Sequence, residues 1–257
     1  VLQDILATNI FHFLLVFSRL SIVFFLFPGL SASYVAARLR LLLALLVTFV
    51  ALPLVRNELP PQPDTPAELA SLVVMEVLVG AFFGALVQTV MGTLQLAGEV
   101  IAQSTGLTNA LVDDPVTEEQ TAIVIGLLDL VAVLMIFITG SHLLLLTAAV
   151  DSYTLFRPGG DLFTGDMLSM ASTLLNQSFS MGLRLASPFL VFELVFQITS
   201  GVMARLSPQL NVYFVAMPAQ IALGLTILMI TLPTIMLVFM RYFDESLRVI
   251  LSPGAGG

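Results

Sequence analysis

The chain contains no cysteine and no lysine, and only 10% of its 257 residues are charged. Without cysteine there is no disulfide and no thiolate metal site. Without lysine there is no phosphate-cradling loop of the Walker type. Nine arginines stand against 17 acidic residues, a net charge of −8. No basic stripe is left to neutralise a phosphate backbone, so nucleic acid is excluded as a partner. The two histidines, His12 and His142, lie far apart in apolar surroundings and read as packing residues rather than metal ligands. Neither Ser200-Gly201 nor Gly140-Ser141-His142 has the partner spacing of a nucleophile and its base. The expectation is a chain with no enzymatic activity, no cofactor and no metal.

What is present is apolar. Hydrophobic residues make up 58% of the chain and the mean hydropathy is +1.03. Soluble domains carry roughly 25% charged residues, and crossing the hydrocarbon takes about 20 apolar residues per helix. The sequence therefore predicts an all-α integral membrane protein, residues 1–257 forming one membrane-embedded domain of about six long, kinked helices. The first runs from Leu2 to Phe27 and ends at Pro28-Gly29. Arg19 in its middle and the lack of a basic start argue against a cleaved leader. The second covers Leu39–Val55. Pro60, Pro61, Pro63 and Pro66 then form a linker no helix crosses. Thr65, Pro66 and Glu68 supply the start of a third helix reaching Thr105. Thr117 and Gln120 suggest a capping box for a fourth, ending near Val150. A fifth spans about Asp166–Arg205, with a kink at Pro188, and a sixth about Asn211–Val249, with kinks at Pro218 and Pro233.

Polar residues interrupt these apolar helices at helical spacing. On the third helix Glu76, Gly80, Gly84, Gln88, Gly92, Gln95, Glu99 and Gln103 follow one another every three or four residues. On the fifth, Ser172, Asn176, Ser180 and Arg184, then Glu193, Gln197, Gly201 and Arg205, repeat the pattern. A charged group at mid-bilayer costs about 2.5–3.5 kcal/mol on insertion scales. The stripes should therefore face protein or water: either they pack the chain's own helices together, or they line a polar conduit and bind other subunits. Two stripes this long exceed what six helices need for self-packing, which favours partner chains. Between the third and fourth helices, Gly106, Leu107, Ala110, Leu111, Val112, Asp113, Asp114 and Pro115 form a loop too apolar for a solvated connector. It suits either a pore-closing plug or a buried link.

A set of local motifs, in order along nearly the whole chain, carries a family resemblance. The most specific is Pro208-Gln209-Leu210-Asn211-Val212-Tyr213 followed by Met217-Pro218 and preceded by Arg205. Arg184-Leu185-Ala186-Ser187-Pro188, Gly98-Glu99 with Ile101, Gly106-Leu107, Ala110 and Asp114-Pro115 belong to it, as do His142 after Gly140 and Asp151-Ser152-Tyr153 with Pro158-Gly159. Arg19, Pro28 and Arg38 complete it at the N-terminal end. The chain resembles the FliR family of type III secretion export-gate proteins, flagellar and injectisome. It departs from the family at two positions: Ser104 stands where Gln is frequent, with Gln103 beside it, and Gln220 stands where Lys is frequent.

The resemblance implies one copy in a helically arranged gate with several FliP and FliQ subunits, engaged in turn by FlhB and FlhA. It implies a FliP-like part over residues 1–205, a FliQ-like part over 206–257, and a loop at Gly106–Pro115 that helps close the pore to exported unfolded protein. The location implied is the bacterial inner membrane, in the flagellar basal body. Arg184, Glu193 and Arg205 are expected in subunit contacts or internal ion pairs. The alternative function is a small-molecule secondary transporter, which calls for a midplane site and often an internal repeat. The sequence offers broken helices but no repeat beyond the two stripes. Orientation is not legible, since Arg56, Arg157, Arg241 and Arg248 fall on one side and Arg38, Arg40 and Arg205 on the other.

Overall fold

The computed structural model describes residues 2–30, 35–113, 120–160, 164–207, 209 and 211–251. Helices dominate: α1 (Leu2–Phe25), α2 (Ala37–Val55), α3 (Pro66–Thr105), α4 (Ile123–Thr139), α5 (Ser141–Leu155), α6 (Thr164–Leu206) and α7 (Val212–Leu251). Five of them are long and apolar enough to cross a membrane, and α4 with α5 makes a sixth span if the bent pair is counted as one. The protein is thus an integral membrane protein whose long helices match the apolar runs of its sequence.

Local chemistry sets most of the ends. α1 stops two residues before the expected Phe27, just ahead of Pro28 and of Gly29 at φ 82°. α3 begins at Pro66, with the Thr65 hydroxyl accepting the Glu68 N–H at 3.3 Å. Its 40 residues make a rod of roughly 60 Å. α6 and α7 run on through Pro188, Pro218 and Pro233 without an assigned break.

Two expectations are corrected. The fourth helix is two helices, α4 and α5, separated at Gly140 (φ 81°) and bent by 79°. A left-handed residue cannot continue a right-handed helix, and glycine adopts that conformation without a Cβ penalty. The helix also begins later than expected. Gln120 lies not in its first turn but in a short strand, β2 (Gln120–Ala122), paired antiparallel with β1 (Leu111–Asp113) in the register Leu111–Ala122, Val112–Thr121 and Asp113–Gln120. Thr117, the expected cap, lies outside the described residues. Three-residue strands are too short to show an alternating pattern, so the periodicity of the sequence gave no sign of them.

The chain divides into two compact units, each built from separate stretches: residues 1–90, 137–174 and 244–257 in one, 91–136 and 175–243 in the other. The first has Leu15, Val16, Leu20 and Tyr153 fully buried. The second buries Leu94, Ile101, Leu128, Ile136, Phe189 and Phe239. Since lipid tails are as apolar as leucine, the drive for helices to pack within a membrane is close contact and hydrogen bonding rather than removal from water. In the first unit Gly80 and Gly84 supply the close contact. A Cβ on Gly80 would stand 2.6 Å from the Arg19 carbonyl oxygen, and one on Gly84 2.3 Å from Leu26 Cδ1.

Candidate functional site

In the first unit the charge on α1 and the first acid of the α3 stripe meet. Arg19 is fully buried and Glu76 is 2% exposed. Arg19 Nε donates to Glu76 Oε2 at 2.7 Å and Nη2 donates to Oε1 at 2.9 Å, a two-point pairing that uses the planar fork of the guanidinium. The remaining donors reach α5: Nη2 donates to the Phe156 carbonyl at 2.8 Å, and Nη1 to Ser152 Oγ at 3.2 Å. The guanidinium carbon lies 4.0 Å from the centre of the Tyr153 ring. Phe156 is the C-cap of α5, so the cation also neutralises the negative end of that helix. One arginine ties α1, α3 and the end of α5 together.

The stripe continues along α3 on the same terms. Gly80 and Gly84 seat α1 against α3, and Gln88 Nε2 donates at 2.8 Å to the carbonyl of Leu26, just past the end of α1. Glu76, Gly80, Gly84 and Gln88 are therefore covered by this chain itself, and the expectation that partners cover the whole stripe is corrected for that half. Further along, in the second unit, Gln95 is half-buried, while Glu99 and Gln103 are exposed.

The stripe on α6 is mostly open. Ser172, Asn176, Ser180, Arg184, Gln197, Gly201 and Arg205 are exposed, and Glu193 is half-buried. Neither Arg184 nor Arg205 makes an ion pair among the described residues. Around Arg205 the apolar residues are uncovered too, with Leu194 63%, Ile198 61% and Leu206 78% exposed. Beyond the turn, Phe214 on α7 is 77% exposed. Of the family motif in that turn, Gln209, Asn211 and Pro218 are exposed, while Pro208 and Leu210 lie outside the described residues.

Glu193 is occupied internally. Its two carboxylate oxygens face Ser104 Oγ on α3 and Gln197 Nε2, each at 2.9 Å. Gln220 Nε2 on α7 donates to the Ser104 carbonyl at 2.9 Å. The side chain of Gln220 is thus bonded to the backbone of Ser104, whose hydroxyl faces Glu193. This cluster stands at the root of the expected plug. Gly106 (φ 73°) and Leu107 turn the chain out of α3, and Ala110 follows, exposed, with its carbonyl accepting the Ile123 N–H at 2.8 Å. Leu111 is 57% exposed and Val112 half-buried beside Gly126. The segment is not a buried connector in the described part; Asp113 closes β1, and Asp114 and Pro115 lie outside it.

His12 is a packing residue, its ring Nε2 bonded to the Pro60 carbonyl at 3.0 Å. His142 stacks on Phe137 with ring centres 5.2 Å apart. Sequence reasoning marked Arg19 and Glu76 separately but missed their pairing and all of Arg19's partners on α5. No local signal connects residues separated by more than fifty positions.

Comparison with known proteins agrees with the architecture. Residues 10–246 match the family model described as bacterial export proteins, family 1. The chain is 33% identical to the flagellar biosynthetic protein FliR of Caulobacter vibrioides, over 95% of this chain and 97% of that one. It is 26% identical to the FliR of Escherichia coli, over 87% and 85% of the two chains. It is also 24% identical to the surface presentation of antigens protein SpaR of Salmonella typhimurium, over 83% and 80%.

Proposed function

Because this chain belongs to the bacterial export proteins, family 1, the FliR family, we propose that it is a non-enzymatic subunit of a type III secretion export gate in the bacterial inner membrane. In this reading it joins FliP-like and FliQ-like subunits in a channel for unfolded protein, within the flagellar basal body, and the gate engages FlhB-like and FlhA-like proteins. Residues 1–205 act as the FliP-like part and 206–257 as the FliQ-like part. Energy for export comes from elsewhere in the apparatus.

The observation that carries the proposal is the uncovered polar stripe of α6. Arg184, Gln197 and Arg205 are exposed on a helix that also leaves Leu190, Val191, Leu194, Val195, Ile198 and Val202 uncovered. An arginine facing acyl chains near mid-bilayer would cost about 2.5–3.5 kcal/mol. Neighbouring subunits or a watery passage remove that cost. The first half of the α3 stripe shows the same chemistry already satisfied inside one chain. On this basis Glu99, Gln103, Arg184, Gln197 and Arg205 contact partner subunits or the conduit.

Co-purification in mild detergent tests the assembly. Mass spectrometry should find other export-gate subunits eluting with this chain, and a stable, monodisperse monomer would overturn the reading. The proposed pore-closing role of Gly106–Pro115 has its own test. Deleting those residues should leave the assembly intact but make cells expressing it permeable to small ions. An assembled, ion-tight deletion variant would eliminate the plug.

A further inference from the structure

The C-terminal end of α3 is held by more than packing. A helix ends with four carbonyls that have no intrahelical partner. In α3 three of them, those of Ala102, Gln103 and Ser104, are taken up in sequence. The Leu107 N–H reaches back to the Ala102 carbonyl at 2.8 Å and the Gly106 N–H to Gln103 at 3.2 Å. With Gly106 in the left-handed conformation, this is a Schellman cap. The Ser104 carbonyl is taken by a side chain from another helix, the Gln220 amide at 2.9 Å. The Ser104 residue itself is fully buried, and its hydroxyl lies 2.9 Å from Glu193 Oε2. Gln197, one turn along α6, holds the other carboxylate oxygen. Beside this network Gly224 of α7 lies against Thr105, so closely that an added Cβ would stand 2.5 Å from Thr105 Cγ2.

We infer that Gln220 and Glu193 are positioning residues that latch the end of α3 to α7 and α6, and so fix the point and direction at which the Gly106–Asp113 segment leaves the helix. The chemistry explains why the latch takes this form. A charged acceptor roughly doubles the strength of a hydrogen bond, and Gln197, donating to the other oxygen of the half-buried carboxylate, keeps it turned toward Ser104. Gln220 supplies an N–H to a carbonyl that the Schellman cap leaves over. Loss of the Gln220 contact frees the Ser104 carbonyl. Loss of Glu193 leaves the Ser104 hydroxyl bonded only within α3, to the Val100 carbonyl at 2.8 Å, so that α3 is no longer tied to α6. In either case the segment samples further exits. The latch is a claim about local order; its consequence for permeability rests on the pore-closing role proposed above.

The absence of cysteine makes a clean test possible, because a single introduced thiol is this chain's only labelling site and the chain is labelled before the gate complex is assembled. Leu111→Cys, exposed at the start of β1, carries a nitroxide spin label in the purified gate complex, and Asn57→Cys carries it in a control. In Gln220→Ala and in Glu193→Ala the ratio of mobile to immobile label at position 111 should rise about tenfold, equivalent to about 1.4 kcal/mol. Gln220→Lys, which keeps a donor, and Glu193→Gln, which keeps an acceptor for Ser104, should stay within about threefold of the parent. The label at position 57 should not change in any of them. An unchanged spectrum at 111 in both alanine variants overturns the latch, as does equal mobilisation at 57, which would signal general loosening. Mobilisation at 111 without any ion leak in cells keeps the latch and removes the plug; a leak without mobilisation removes the latch.

Discussion

Replacing Arg19 with alanine removes four donated contacts from the interior of the first unit at once. Glu76 loses both of its bonds, at 2.7 and 2.9 Å, and the Phe156 carbonyl and Ser152 hydroxyl lose theirs. Arg19 is fully buried and Glu76 nearly so, so bulk solvent does not compensate the carboxylate left behind. Breaking a buried pair from one side costs about 3–5 kcal/mol, because the surviving charge is left without compensation. Removing both charges with side chains of similar volume, Arg19→Met with Glu76→Leu, takes the donor from the Phe156 carbonyl alone, since the Ser152 hydroxyl still donates to the Ala149 carbonyl at 2.7 Å. The loss there should be about 1–3 kcal/mol, offset in part by the desolvation that no longer has to be met. The double variant should therefore be more stable than either Arg19→Ala or Glu76→Ala alone. Arg19→Lys should fall between parent and Arg19→Ala, since one ammonium cannot span the carboxylate and the end of α5 together. Thermal unfolding in detergent, followed by helical circular dichroism, gives the ranking. If Arg19→Ala is as stable as the parent, or if the double variant is the least stable of the set, the account of this cluster as a mutually compensated pair is wrong.

Two glycine replacements probe opposite physical causes. Gly80→Ala is compatible with a helical backbone but drives a methyl to within 2.6 Å of the Arg19 carbonyl oxygen. It should destabilise by about 1–3 kcal/mol through overpacking, and a thermal shift no larger than that of alanine at an exposed α3 position would contradict the close approach. At Gly140 nothing lies within 4 Å of an added Cβ, but φ is 81°. Gly140→Ala should cost about 1–2 kcal/mol from conformation alone, and Gly140→Asn should cost less. Equal unfolding temperatures for parent and Gly140→Ala would rule out a left-handed residue at the bend between α4 and α5.

The sequence alone determined the class of this protein and the extent of most of its helices. Bilayer thickness acts on any run of about 20 apolar residues regardless of fold, and proline, glycine and capping residues act within one turn of where they stand. Pro66 to Thr105 could therefore be bounded at both ends, and the linker before it placed, without coordinates. The partial exception is Gly140: its residue type permitted a break, but only its left-handed φ showed that one occurs. Tertiary structure alone decided which polar residues are spoken for. Glu76 and Glu99 occupy the same helical stripe and look equivalent in the sequence, yet one is buried on Arg19 and the other is exposed. The difference arises because hydrogen-bond partners are chosen in space. Arg19 reaches Glu76 across 57 positions and Ser152 across 133, and Gln220 reaches Ser104 across 116. Periodicity reports which face of a helix is polar; what that face meets depends on where the rest of the chain comes to lie.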